Sequence, residues 1–404
     1  MKGGIYMAIF YAWKHKRINI LIGIIISCML LSGMELYQAD QTLSMYSGSY
    51  ALIDGDTGRL LKGKEATTPM ANASTTKILT CIVTLEHCDL NDVVMISKNA
   101  ASQPKVKMGI QEGTQYSLKD MVYGLMLESY NDCAVAIAEH VAGSTENFAH
   151  ILNEKAKEIG CTDTYFITPN GLDAEDENSF HHTTAEDLCR IMAYCTWESP
   201  KKELFLEITQ TRNYGSFVNR NAFLNQMEGV LTGKTGFTNK AGYCYVAAME
   251  KNGEKYCIAL LACGWPNNKD YKWKDARVLF EYGLENYNIN KVKIKSIKEE
   301  MKIDGYVEPL VFSNINRGEM LSLYTEKKEY QVLMAKEERL TTEIVLYTDT
   351  VLPIQKGQVM GQYNIYLDNM MLDSIPIIAK QAANIWGWKM ILHTIFYRFL
   401  TFSS

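Results

Sequence analysis

Three short groups of residues contain side chains that could carry out nucleophilic chemistry. The first pairs Ser74 with Lys77, and residues three apart share one face of a helix. If the helix begins near Ser74, the serine lies at its positive end, where backbone N–H groups can hold a developing oxyanion. A lysine buried beside the serine can lose its charge and act as the base. On its own the pair is weak evidence, because serine is also a common helix N-cap.

The other two groups add polar side chains that could face the same cleft. Ser129 and Asn131 flank a tyrosine, so a tight turn would bring a hydroxyl and an amide together; the alternative is an ordinary Ser/Asn turn. Lys234, Thr235 and Gly236 lie within a strand pattern. Glycine weakens a strand unless another backbone approaches closely, and we expect that backbone to belong to a substrate bound as an extra strand.

The elements that must position these groups alternate between strand-like and helix-like stretches. Strands are predicted at residues 49–54 and 59–61, joined by a turn, and consecutively at 230–238, 242–250 and 255–263. Helices are predicted at 77–86, on both sides of 129–131 within 118–140, at 185–195 and at 275–287. A hairpin, a helical block, three strands and a closing helix predict an α/β layer structure with an antiparallel sheet.

The three groups, in this order, resemble a known family. Ser-x-x-Lys, Ser-x-Asn and Lys-Thr-Gly occur together in class A β-lactamases and penicillin-binding proteins. Flanking segments at 69–77, 131–144, 168–173, 181–187 and 233–242 resemble the low-molecular-mass penicillin-binding proteins of the D-alanyl-D-alanine carboxypeptidase type, peptidase family S11. The resemblance runs from about residue 49 to 287. It implies an α/β (α+β) catalytic domain of the serine β-lactamase/transpeptidase-like class.

The resemblance also implies roles for the matching residues. Ser74 would be the acylated nucleophile, Lys77 its general base, and Ser129 a proton relay acting with Lys234. The backbone N–H groups of Ser74 and Phe237 would form the oxyanion hole. The implied substrate-binding residues are Asn131 for the amide carbonyl, Lys234 and Thr235 for the terminal carboxylate, and Gly236 and Phe237 beside them.

Two positions depart from the family pattern. Tyr130 stands in the middle of the second group, where many relatives have glycine, so the shape of the cleft differs there. The family often carries an arginine after the fourth strand to help bind the carboxylate, and residues 264–269 contain none. Lys269 and Arg277 are the two candidates to replace it.

The rest of the chain predicts a small β-rich domain between two terminal segments. Strands are expected at 292–295, 331–334 and 342–347, and residues 356–361 resemble a hairpin segment of the family's β-domain, for which we expect a spacer role. The predicted organisation is a signal or anchor segment at 1–45, the catalytic domain at 46–290, the β-rich domain at 291–377 and an amphipathic helix at 378–404.

Both termini carry features of export and membrane contact. Three cationic side chains and a histidine at 14–17 precede an apolar run at 18–33, which is typical of an export signal; an uncleaved anchor and a buried core helix are the alternatives. Residues 385–402 would place aromatic and aliphatic side chains on one helix face and cations on the other, as helices lying in a membrane interface do. A helix docked on the protein itself is the competing interpretation.

Composition narrows the class of partner. The 404 residues are 47% hydrophobic with a formal net charge of −5, which disfavours nucleic-acid binding.

Nine cysteines follow Cys28, an odd number and mostly in apolar contexts, which indicates free buried thiols rather than a disulfide framework. His181 and His182 are adjacent rather than four apart, so we expect no metal site and no cofactor.

The residues therefore predict an exported enzyme on the outer face of the bacterial cytoplasmic membrane. The resemblance implies that it would remove the terminal D-alanine from peptidoglycan stem peptides through an acyl-serine and would bind β-lactam antibiotics. A serine β-lactamase is one alternative, but it needs a carboxylate to direct water, and the acidic run at 175–177 is more typical of a solvated surface. A non-catalytic penicillin-sensing or wall-binding protein is another, disfavoured by the intact Ser74, Lys77 and Lys234.

Overall fold

The computed structural model describes residues 43–294, 300–303, 319–347 and 353–382. The chain divides into residues 1–45 and a large unit, residues 46–404, to which everything below refers. The apolar run at 18–33 and the amphipathic helix predicted at 385–402 lie outside the described residues. Within the described ranges, no helix has both the length and the apolar character needed to cross a membrane.

The catalytic part combines a central sheet with a helical block. Its strands are β1 Ser49–Asp54, β2 Leu60–Lys64, β3 Val93–Met95, β4 Gln115–Ser117, β5 Asn213–Tyr214, β6 Phe217–Val218, β7 Val230–Thr238, β8 Gly242–Lys251 and β9 Glu254–Leu261. Its helices are α1 Lys77–His87, α2 Lys98–Ala101, α3 Leu118–Tyr123, α4 Asn131–Ala142, α5 Thr145–Glu158, α6 Ala185–Ala193, α7 Lys202–Gln210 and α8 Tyr271–Asn286. The main sheet has five strands in the order β2-β1-β9-β8-β7, and every pairing is antiparallel.

Both faces of this sheet are covered, which explains its continuous apolar strands. Successive side chains of a strand point to opposite faces. Cys189 on α6 lies against the Ala51 carbonyl oxygen (3.7 Å), whereas Gly283 on α8 packs close to Leu52 and Tyr256. Because helices bury both faces, all six residues of β1 are buried instead of every second one.

The helical block is built around α1, whose residues from Lys77 to Leu85 are all buried. A helix that is buried on every side must be apolar on every side, and the run from Ile78 to Leu85 has only small threonines as polar members. The predicted antiparallel sheet and the helices at 77–86, within 118–140 and at 185–195 are confirmed. The closing helix begins at Tyr271, earlier than predicted, and α5 and α7 were not predicted.

A β-rich part follows the closing helix. Its strands are β10 Tyr287–Lys293, β11 Glu300–Ile303, β12 Glu319–Tyr324, β13 Glu329–Ala335, β14 Leu340–Leu346, β15 Val359–Leu367 and β16 Met370–Ala379. β10 pairs with β13, and the other five form an antiparallel sheet in the order β11-β12-β16-β15-β14. The predicted β-rich character is confirmed, while β10 runs across the predicted boundary after residue 290.

The β-rich part is joined to the catalytic part through the β1–β2 hairpin. Arg59 donates to the Leu333 carbonyl oxygen (2.7 Å) and pairs with Glu338. Tyr287 donates from its hydroxyl to the Leu61 carbonyl oxygen (2.8 Å). These polar contacts tie β10 and the end of β13 to the β1–β2 hairpin, at one edge of the main sheet.

The nine cysteines from Cys81 to Cys263 are free thiols. All but Cys88 and Cys161 are buried. Burial raises the pKa of the Cys244 thiol to about 12, because an apolar surrounding disfavours the thiolate. Thiols of this kind act as small apolar side chains of the core.

Candidate active site

Ser74 lies in a short 3₁₀ turn, Ala73–Thr76, directly before α1. The turn starts from an unusual backbone, because Ala73 has a φ of 49°, a region that a non-glycine residue adopts only under constraint. The constraint comes in part from Asn72, whose buried amide donates to the hydroxyl oxygens of Thr75 (3.0 Å) and Thr76 (2.9 Å). The serine is thereby presented from a fixed turn.

His181 supports the same turn from a neighbouring segment. Burial lowers the pKa of His181 to about 3, so its ring is neutral at pH 7. Nδ1 accepts hydrogen bonds from the backbone N–H groups of Ile167 (3.0 Å) and Thr168 (3.3 Å). Nε2 therefore carries the proton and donates to the Thr76 hydroxyl oxygen at 2.9 Å. Thr76 in turn donates to the Ala73 carbonyl oxygen (3.0 Å).

The amine of Lys77 occupies the centre of the site. Its Nζ lies 2.7 Å from Ser74 Oγ, 2.9 Å from Asn131 Oδ1 and 2.6 Å from the Asn170 carbonyl oxygen. A neutral amine has two N–H donors and one lone pair. With both donors directed at the two carbonyl oxygens, the lone pair is left for the Ser74 hydroxyl. The three contacts thus match an amine that accepts the serine proton.

The electrostatics favour that neutral form. Lys77 is fully buried, and burial, reinforced by repulsion from Lys234, holds the pKa of Lys77 well below its ordinary value, although Cys133 and Asp132 oppose the shift. Burial also lowers the pKa of Lys234 to about 7. Two amines in one desolvated site disfavour a double positive charge.

Asn170, which was not predicted as a site residue, contributes the carbonyl oxygen that contacts the Lys77 amine. It precedes Gly171, whose φ is 78° and at which an added Cβ would lie only 1.9 Å from the Ala73 carbonyl oxygen. Only glycine fits so close an approach. The Asn-Gly pair at 170–171 was a sequence signal for a turn, but nothing in the sequence shows which side chain the Asn170 carbonyl group would meet.

The second group is presented by a π-helical turn. The turn, Gly124–Glu128, continues α3 and ends at Ser129, which has a φ of 66°. Ser129 Oγ lies 2.8 Å from Lys234 Nζ. Asn131 opens α4, and its side chain donates to the Pro104 carbonyl oxygen (3.3 Å) while its Oδ1 contacts Lys77. Ser129 and Asn131 therefore each contact one of the two lysines.

The third group lies on β7, the edge strand of the main sheet. Lys234 is buried and also donates to the Thr235 carbonyl oxygen (3.0 Å). A Cβ added at Gly236 would lie 3.0 Å from both Ser74 N and the Asn72 carbonyl oxygen, so this strand runs closely beside the nucleophile. Phe237 is 37% exposed at the outer end.

The two departures from the family pattern have structural counterparts. Tyr130 packs over Gly124, where an added Cβ would lie 2.9 Å from its ring, and meets Phe217 edge-on. Arg277 donates to the Gln226 carbonyl oxygen (2.6 Å). Lys272, which was not predicted, is buried with its amine 4.8 Å from the centre of the Tyr243 ring and hydrogen-bonded to the Lys269 carbonyl oxygen.

Carboxylates do not take part in the described hydrogen bonds of the candidate catalytic side chains. The described partners of Ser74 Oγ and of the Lys77 and Lys234 amines are Ser129, Asn131 and the carbonyl oxygens of Asn170 and Thr235. The acidic run at 175–177 is exposed, as predicted. Asp176 there accepts the Tyr165 hydroxyl (2.8 Å) and belongs to a surface turn.

The predicted residues are therefore brought together by three separate elements. A serine beside a buried lysine, a second serine beside a second lysine, and an edge strand alongside the nucleophile define the active-site serine class to which class A β-lactamases and penicillin-binding proteins belong.

Comparison with known proteins narrows this class. A family profile described as D-alanyl-D-alanine carboxypeptidase, Peptidase S11, matches residues 36–262. A second profile, described as the C-terminal domain of penicillin-binding protein 5, matches residues 313–384. Because the first match covers more than half of the chain, the protein belongs to the peptidase S11 family of D-alanyl-D-alanine carboxypeptidases.

Individual relatives agree over most of the chain. D-alanyl-D-alanine carboxypeptidase DacF of Bacillus subtilis is 29% identical over 392 residues, covering 91% of this chain and 94% of that protein. DacA of Haemophilus influenzae is 30% identical over 364 residues, covering 85% of this chain and 88% of that protein. Among solved structures, penicillin-binding protein 5 from Haemophilus influenzae superposes with a TM-score of 0.69 at 23% identity, covering 85% of this chain and 99% of that one, which shows the shared fold.

Proposed function

We propose that this protein is a serine carboxypeptidase that removes the terminal D-alanine from peptidoglycan stem peptides, and that β-lactam antibiotics acylate the same serine. Family membership supports the reaction class. The observation that carries the proposal is the position of the Lys77 amine, which lies 2.7 Å from Ser74 Oγ and is held by two carbonyl oxygens.

In the acylation step, neutral Lys77 takes the proton of Ser74 as Oγ attacks the carbonyl carbon of the penultimate D-alanine. The backbone N–H groups of Ser74 and Phe237 stabilise the oxyanion, and Asn131 orients the substrate amide. The close approach of Gly236 to Ser74, where an added Cβ would lie 3.0 Å from Ser74 N, supports this arrangement, because it shows the edge strand running beside the proposed nucleophile.

Collapse of the tetrahedral intermediate breaks the peptide C–N bond and leaves an ester on Ser74. The leaving D-alanine takes a proton delivered through Ser129 and Lys234, which lie 2.8 Å apart. Lys234 and Thr235 hold the terminal carboxylate. In deacylation, the hydroxyl of a water molecule adds to the acyl carbon and the bond from that carbon to Ser74 Oγ breaks, which releases the shortened peptide. One proton of that water is transferred to Oγ, so that the Ser74 hydroxyl is regenerated.

Mass spectrometry of the intact protein after incubation with benzylpenicillin tests the nucleophile. The wild-type chain should gain one penicillin mass on Ser74 and should release D-alanine from a peptide ending in D-Ala-D-Ala. Ser74→Ala should lose both activities, whereas Ser179→Ala should keep both, because Ser179 is half-buried in the surface turn with Asp176, away from Ser74 and Lys77. Single-site labelling of Ser74→Ala would refute the assignment.

The same experiment separates the alternatives. Rapid loss of the penicillin adduct with return of free enzyme would favour a β-lactamase. A stable adduct without D-alanine release would favour a sensing or wall-binding protein. A stable adduct together with D-alanine release is the result expected for a carboxypeptidase.

We further propose that the mature protein acts outside the cytoplasm and that its C-terminal segment attaches it to the membrane surface. The support is the sequence pattern alone: Trp388, Ile395 and Phe399 would enter the acyl boundary while Lys389 and Arg398 meet anionic headgroups. Deleting 385–404 from a chain that lacks 1–45 should abolish co-sedimentation with anionic liposomes and leave penicillin acylation intact. A lower melting temperature with unchanged sedimentation would indicate a docked helix instead.

A further inference from the structure

Three side chains with metal-ligating atoms converge at the far end of the helical block. Cys88, Asp92 and His140 each place one such atom within 4.8 Å of the other two. Asp92 Oδ2 and His140 Nε2 are 3.3 Å apart. The side chains of His140 and Asp92 are 25% and 40% exposed, so an ion from solvent can reach them.

The backbone under these side chains is fixed by hydrogen bonds of its own. The Cys88 N–H donates to the Thr84 carbonyl oxygen (3.0 Å) as α1 ends. The Asp92 carbonyl oxygen accepts from Leu118 N–H at 2.9 Å, which ties the turn after α1 to the start of α3. His140 lies in the last turn of α4. Three separate elements therefore hold the group in place.

We propose that Cys88, Asp92 and His140 form a binding site for Zn²⁺ or a similar borderline divalent ion, with water as the fourth ligand. In tetrahedral zinc sites the ligand atoms lie about 3.3–3.8 Å apart, given zinc–ligand distances of about 2.0–2.3 Å, and the three atoms here need only small rotamer changes to reach that spacing. A thiolate beside an imidazole selects zinc over Mg²⁺ or Ca²⁺, which prefer oxygen ligands alone.

The position of the site gives it a structural role. α1 and α4 begin with Lys77 and Asn131, whose side chains are 2.9 Å apart in the active site. The proposed ligands lie at the opposite ends of the same two helices, roughly 16 Å away for an eleven-residue helix. An ion there would join the two helices at their far ends without touching the reacting groups.

Metal binding by the full chain tests this directly. After treatment with a chelator and equilibrium dialysis against Zn²⁺, elemental analysis should find one zinc per chain. Cys88→Ser and His140→Gln should each weaken zinc binding by at least about tenfold. Cys161→Ser is the matched control, because Cys161 is also half-buried and lies against Asp187 but is not part of the cluster; its zinc binding should equal the wild type.

Substitution with Co²⁺ provides a second readout, which the wild-type chain gives by itself and the variants then assign to Cys88. The wild-type chain should show a thiolate-to-cobalt charge-transfer absorption, which Cys161→Ser keeps and Cys88→Ser loses. Zinc should also raise the melting temperature of the wild type and of Cys161→Ser only. Absence of the charge-transfer band from the wild type, or equal zinc binding by wild type, Cys88→Ser and His140→Gln, would overturn the proposal and leave only the Asp92–His140 hydrogen bond beside a thiol that binds no metal.

Discussion

Replacing Lys77 by arginine tests the proposed general base most directly. The substitution keeps a positive charge and a long side chain, but a guanidinium has no lone pair to accept a proton and does not deprotonate in proteins. In the wild type, Asn131 Oδ1 and the Asn170 carbonyl oxygen take the two N–H donors of the neutral amine. In Lys77→Arg the Ser74 proton has no acceptor at that point.

The expected loss follows from what a general base contributes. Positioned proton transfer accounts for about 10²–10⁴ in rate, or about 3–5 kcal/mol of transition-state stabilisation. The fully buried amine fits among three oxygen atoms at 2.6 to 2.9 Å, and a planar guanidinium cannot occupy the same point. The second-order rate constant for penicillin acylation should therefore fall by at least about 10².

The assay is the time course of benzylpenicillin adduct formation, followed by intact-protein mass spectrometry, with circular dichroism to confirm folding. Lys62→Arg is the control, because Lys62 is another buried lysine, with its amine 5.3 Å from the Tyr282 ring centre, and should acylate at the wild-type rate. Lys77→Met, which removes the amine without adding charge, should lose acylation like Lys77→Arg. Acylation of either variant within tenfold of wild type would refute the role of Lys77.

Three further predictions concern the surroundings of the site. Gly236→Ala should lower the acylation rate by about 10²–10³, like the loss of one oxyanion donor, because its Cβ would lie 3.0 Å from Ser74 N; stopped-flow labelling of a folded variant checks this. Asp132→Asn should lower the free energy of unfolding by about 2–3 kcal/mol, measured by urea denaturation, because the buried carboxylate accepts the N–H groups of Met108 and Gly109. Burial lowers the pKa of Lys234 to about 7, so above that pH the unfolded chain holds one more proton at this residue than the folded chain, and the free energy of unfolding rises with pH. Lys234→Met should remove about 1.4 kcal/mol per pH unit of that rise between pH 7.5 and 9. Equal slopes of unfolding free energy against pH for the wild type and the variant would contradict the assigned pKa.

Much of the catalytic architecture was predictable because its signals are local. The strand β7 was predicted with its observed ends, since Gly229 precedes it and residues 239–241 form the turn that follows. The helix α1 was predicted because eight apolar or small residues follow Lys77 without a glycine or proline. The pairing of Ser74 with Lys77 needs only helical spacing, which is why one short motif located the proposed nucleophile and its proposed base together.

Contacts between distant segments were not predictable in the same way. Asn170 reaches Lys77 across 93 positions, and His140 meets Asp92 across 48. Such distances depend on how the elements pack, and sequence spacing carries no information about packing. The support of Thr76 by His181 was missed for the same reason, although both residues lie in segments that match the family.

The two serines share a constraint that explains why the site needs so much surrounding structure. Ala73, one residue before Ser74, and Ser129 itself both have a φ above 45°, a conformation that costs a non-glycine residue about 1–2 kcal/mol. Each is held by a dense local arrangement: the 3₁₀ turn by Asn72, and Ser129 by the π-helical turn before it. Strain of this kind persists only where neighbouring contacts overdetermine the backbone. The polar residues packed behind the catalytic side chains are therefore as necessary to the geometry as the side chains that would touch substrate.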